Sequence, residues 1–123
     1  VEDEAKILYV QTHGVDEPSK AATPFYLATA AAAMDMEVAI YFTMHGPTLL
    51  QREVQETLTV KRGGAPIASF IRQAQGIGVR LLVCQPSLDL NDLAMEDLID
   101  GVEMIGGAAF NDLAVSADAV ISF

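Results

Sequence analysis

Apolar residues come in short dense runs along this chain, and glycine, proline and acidic residues separate the runs. Residues 5–13, AKILYVQTH, form the first run and give way to the polar GVDEPSK. That pattern predicts a buried strand followed by a loop. Residues 36–43, MEVAIYFT, and 79–84, VRLLVC, predict two more strands. A shorter strand is expected near 102–105, and DAVISF predicts a fifth over 118–123. Helical stretches lie between them. Residues 19–34 are rich in alanine, the strongest helix former, and contain Pro24. Either the helix begins at that proline with Thr23 as its N-cap, or an earlier helix kinks there. In residues 65–75, Ile67, Phe70, Ile71 and Ala74 keep the spacing of one helix face. Pro66 suits the first turn of that helix and Gly76 its stop. Residues 107–116 read as a helix and 96–99 as a short one. Residues 45–51 allow a loop with one helical turn. The polar segment 51–64, which ends in Gly-Gly, reads as a mobile excursion.

Strands that alternate with helices predict an α/β fold with a mainly parallel sheet and right-handed crossovers. Near-continuous apolar strands agree, because parallel strands are buried on both faces. A length of 123 residues suits one domain, 1–123, with too little chain on either side of 51–64 for two. The net charge of −10, with only seven Lys and Arg, leaves no basic stripe. Nucleic acid and anionic membrane surfaces are therefore not expected partners. Apolar residues make up 51% of the chain and mean hydropathy is +0.31, an excess that a subunit interface would cover. No run of 18 apolar residues predicts a membrane span. The acidic opening VEDEAK is unlike a signal peptide.

The chain has one cysteine, Cys84, so an internal disulfide and a multi-thiolate metal site are both excluded. A lone cysteine fits a reducing compartment, the cytoplasm. In a parallel sheet, ligands bind beyond the carboxyl ends of the strands. His13 follows the first predicted strand, His45 the second, and Cys84 ends the third, so all three are expected on one edge. Free cysteine is often a small buried hydrophobe. Pro86, however, forces the chain out of the sheet directly after Cys84. That predicts a thiol near the surface, where the N–H groups of a following turn, around Gln85 and Ser87, favour the reactive thiolate. His13 and His45 have the chemistry of a base, an anion contact or a metal ligand, or of loop residues that are simply hydrogen-bonded. No C-x-x-C or H-x-x-H spacing supports a metal, and no cofactor is expected. GGAP at 63–66 and GGAA at 106–109 read as tight loops, since neither has phosphate-loop spacing. Met34, Met36 and Met44 read as core or interface filler.

The stretch from ILYVQTH to FTMHGPTLL, with Phe42, Thr43, Gly46, Leu49 and Leu50, resembles the opening of the DsrE/DsrF-like family. VCQPSLDL followed by EDLIDGVEMIGGAAF resembles that family's second half, in which a cysteine ends the third strand. The resemblance implies a three-layer α/β/α sandwich that assembles as trimers or hexamers. It also implies a sulfurtransferase-like role in sulfur relay, with a persulfide carried on Cys84 and passed to sulfur-carrier or rhodanese-like proteins. Gln85, Ser87, His13 and His45 are the candidate binding residues along the same edge. Some members have a second downstream cysteine that this chain lacks. A non-catalytic oligomer that binds a small anion or nucleotide at the strand ends is the alternative, with Cys84 as lining.

Overall fold

A computed structural model describes residues 4–123. Its strands are β1 (Lys6–Gln11), β2 (Glu37–Phe42), β3 (Arg80–Val83), β4 (Val102–Met104) and β5 (Ala119–Ser122). Its helices are α1 (Ala22–Ala33), α2 (Ile67–Gly76), α3 (Gln85–Leu90) and α4 (Gly107–Ser116). The strand order is β4-β3-β2-β1-β5, and every neighbouring pair of strands is parallel. The chain therefore builds outward from β1 to β4 and then crosses back to lay β5 on the far side of β1.

Side chains in a strand alternate between the two faces of the sheet, so each strand feeds two cores. On one face Tyr9, Val38, Ile40, Phe42, Leu81 and Val83 pack against α1 and α2. Phe25 of α1 meets Phe42 with ring centroids 5.7 Å apart, and neither ring reaches solvent. Burying one such side chain contributes about 1.5–3 kcal/mol. On the other face Leu8, Ala39, Tyr41, Leu82 and Cys84 pack against Phe110, Leu113 and Ala114 of α4. The result is the expected three-layer α/β/α sandwich. The second layer is thin, however, because α4 has no fully buried residue and all four residues of β5 are exposed.

Several local expectations need correction. Helix α1 starts at Ala22, so Pro24 lies inside its first turn, where the missing N–H costs nothing, and Thr23 is not the N-cap. The short helix expected over 96–99 is a single 3₁₀ turn at Met95–Asp97, followed at Leu98 by extended backbone. The segment 51–64 is not a free excursion but is folded onto the core. Its Gln55 is buried and donates to the carbonyls of Leu49 and Gln51, while Leu58 and Val60 pack on the first core. Polar composition concealed this because an amide that satisfies backbone carbonyls can be buried at little cost. Among the described residues no helix is long and apolar enough to cross a membrane.

Candidate functional site

The parallel strands bring the loops after β1 and β2 and the start of α3 to one edge of the sheet, which sets His13, His45 and Cys84 along it. The first two loops are packed against each other. The His45 N–H donates to the Thr12 carbonyl at 3.1 Å, and the Val15 N–H donates to Thr48 Oγ1 at 2.9 Å. Gly14 makes this approach feasible, since a Cβ there would run into the His45 carbonyl and the Thr48 hydroxyl. His13 pairs its ring with the Thr12 hydroxyl and does not bond to Cys84. The residues around the sulfur are a different set.

Cys84 is the residue before α3, with extended backbone, and is only 8% exposed. The expectation of a near-surface thiol therefore fails. Pro86 does end the strand, but the sulfur points back onto the second face, among Leu8, Ala39, Tyr41 and Leu82. Ser87 Oγ lies 2.9 Å from Sγ, and Thr43 Oγ1 lies 4.0 Å from Sγ and 3.1 Å from Ser87 Oγ. The Met44 N–H donates to Ser87 Oγ at 3.0 Å. Tyr41, one strand over, lies under Phe110 of α4 with ring centroids 4.2 Å apart. Gln85 is exposed and donates to Asp89 at 2.8 Å, away from the sulfur.

Electrostatics at this sulfur are a contest between two effects. Burial is the largest single influence and disfavours the charged form. The neighbouring polar groups, the Ser87 side chain first and then the Tyr41 side chain, the Ser87 backbone and the Thr43 side chain, oppose it. Together they win, and the Cys84 pKa falls below its ordinary value. Tyr41 moves the other way, raised first by burial and then by the neighbouring sulfur, so it stays protonated and can only donate to a thiolate. The arrangement therefore favours a thiolate, and among the described residues no cation contributes to that shift.

Beyond this cluster lies Asn91, the residue after α3. Its Nδ2 donates to the Met44 carbonyl at 2.7 Å and to the Ser87 carbonyl at 2.6 Å, and its Oδ1 meets His45 Nδ1 at 3.1 Å. His45 thus reaches the cysteine cluster indirectly, while His13 is one loop further away. Sequence reasoning missed Tyr41, Met44 and Asn91 as site residues. The signal for Tyr41 was present: it pairs with Leu82, two residues before Cys84, so period-two alternation puts Tyr41 and Cys84 on the same face. A pocket between α4 and the starts of β1, β2 and β3, lined by Lys6, Glu37, Arg80 and Ser116, lies at the opposite edge of the sheet. It carries no thiol or histidine.

The chain matches the DsrE/DsrF-like family over residues 5–123, and it belongs to that family. It is 28% identical to the sulfur carrier protein DsrE2 of Allochromatium vinosum, an alignment covering 77% of this chain and 84% of the relative. It is 26% identical to an uncharacterised protein of Methanocaldococcus jannaschii, over 85% of this chain but only 38% of that protein. Among solved structures the ychN protein from E. coli superposes with a TM-score of 0.76 over 98% of this chain and 100% of the other, at 16% identity. A protein of unknown function from Methanobacterium thermoautotrophicum superposes with a TM-score of 0.65 over the same shares, at 15% identity. These two share the fold.

Proposed function

We propose that this chain is a sulfur-relay protein whose Cys84 takes up sulfane sulfur as a persulfide and passes it to the thiol of a partner. The observation that carries the reading is the set of donors around Sγ, which favours a thiolate in a half-apolar setting. Membership of the family and the sulfur carrier among its relatives support it. In the loading step the Cys84 thiolate attacks the outer sulfur of a donor persulfide. A new S–S bond forms, the donor's own S–S bond breaks, and the donor thiolate leaves with the electron pair. In the unloading step an acceptor thiolate attacks the outer sulfur and Cys84 is the leaving group. The same hydroxyls that favour the thiolate make it a good leaving group, since a thiol of lower pKa departs faster. With no second cysteine in the sequence, the sulfur has to leave for another molecule. Sulfur-carrier or rhodanese-like proteins in the cytoplasm are the partners this chemistry suits, and a trimer or hexamer of this chain is its working form.

One observation favours the alternative of a binding protein lined by an inert cysteine, namely the burial of Sγ. Intact-mass measurement separates the two. After incubation with thiosulfate, polysulfide or a loaded sulfur-carrier protein, the relay reading expects one or more sulfur atoms added. The addition should disappear with a reductant and be absent in Cys84→Ser. A thiol that resists every donor and alkylates only in unfolded protein would leave the binding-protein reading in its place.

A further inference from the structure

Among the described residues Met44 is one of three non-glycine residues in the left-handed region, with φ 55°. Side-chain-bearing residues adopt that region at a cost, and they hold it only where their surroundings impose it. Here the imposing contacts are visible at both ends of the residue. The Met44 N–H donates to Ser87 Oγ, and the Met44 carbonyl accepts from Asn91 Nδ2. The second Nδ2 proton of Asn91 goes to the Ser87 carbonyl. With both amide protons on carbonyl oxygens the amide cannot be turned over, so Oδ1 is the atom that faces His45 Nδ1.

The consequence for the sulfur follows from counting protons. Ser87 Oγ has one proton and two lone pairs. The Met44 N–H occupies one lone pair. Thr43 Oγ1 and Cys84 Sγ are the two remaining neighbours. When Cys84 is a thiolate it has no proton to give, and of the two hydroxyls Ser87, at 2.9 Å against 4.0 Å for Thr43, is placed to aim its proton at sulfur, leaving the Thr43 hydroxyl to donate to Ser87. We propose that Asn91 is the positioning residue of this site: by clamping the Met44 carbonyl to the end of α3, it holds the Met44 N–H on Ser87 and the Ser87 proton on the Cys84 sulfur. This rests on Cys84 as the reacting sulfur, but not on any particular sulfur donor. Asn91 does not touch the sulfur and acts only through Met44 and Ser87.

The test is the pH profile of Cys84 alkylation by iodoacetamide in native protein, which reads thiolate formation without any sulfur transfer. The titratable groups around the network are Tyr41 on β2, His45 at its outer end, and Asp89 on α3, held by Gln85. Asn91→Ala removes both donors without adding a charge, and Asn91→Leu does so while keeping the volume. Both should move the alkylation midpoint upward, by up to roughly one pH unit, the scale of one hydrogen bond to a charged sulfur. In a Ser87→Ala background the Asn91 substitutions should have no further effect on the midpoint. An unchanged midpoint in folded Asn91 variants would overturn the proposal, and so would an undiminished shift in the Ser87→Ala background. If an Asn91 variant does not fold, hydrogen exchange of the Met44 amide in unaltered protein decides. Protection supports the clamp, and exchange as fast as an exposed loop overturns it. Failure of sulfur loading with a normal alkylation result would instead count against the relay alone.

Discussion

At the residue scale the proposed chemistry turns on one buried sulfur and the hydroxyls that face it. Folding places Cys84 where its pKa lies below the ordinary value of 9.0. An unfolded cysteine ionises near that ordinary value, so the thiolate's contribution to stability is complete above it and is lost as pH falls through the folded pKa. Urea denaturation at a series of pH values should therefore show unaltered protein gaining stability over Cys84→Ala as pH rises through that window. A constant difference would mean the thiol titrates alike folded and unfolded. Cys84, Ser87 and His45 could be found from the sequence because a strand run, a proline and a strand end mark them. The donors that tune the sulfur were harder to read. Asn91 and Met44 matter through a left-handed turn and a helix end that meet only in three dimensions, and neither leaves a pattern in its own neighbourhood. The direction of the thiol was misread for a related reason. Pro86 tells where the backbone turns, but strand alternation decides which way the Cys84 side chain points.

At the scale of elements the sequence was most legible where periodicity was strongest. The β2 and β3 runs and the Ile67, Phe70, Ile71, Ala74 stripe lie in the elements they predicted, with ends moved by one or two residues. Helix α3 went unread because six residues containing a proline give too short a period to detect, although the proline sits in its permitted first turn. The loops after β1 and β2 carry a constraint that composition does not reveal, the close approach at Gly14. Gly14→Ala should lower stability by about 1–3 kcal/mol, because the added methyl must displace the His45 carbonyl or the Thr48 hydroxyl. Chemical denaturation measures the loss. A variant as stable as the parent would mean that the two loops part easily.

At the scale of the whole molecule, the thin second layer is the feature that calls for a partner. Val115 is 87% exposed, and Val120, Ile121 and Met104 are also open to solvent. Burying such surface is favourable in proportion to its apolar area. Light scattering at micromolar concentration should report several subunits per particle, and a clean monomer would remove the trimer or hexamer. The strand order has a consequence for how the chain is made. β1 leaves the ribosome well before β5, yet one of its two edges pairs only with that strand, where Ile7 meets Ala119 and Tyr9 meets Ile121. Until β5 emerges, that edge carries unpaired N–H and C=O groups beside an apolar run, the kind of template on which nascent chains stick to one another. For this sheet the vulnerable interval lasts until β5, the fifth of its strands in chain order, has been made.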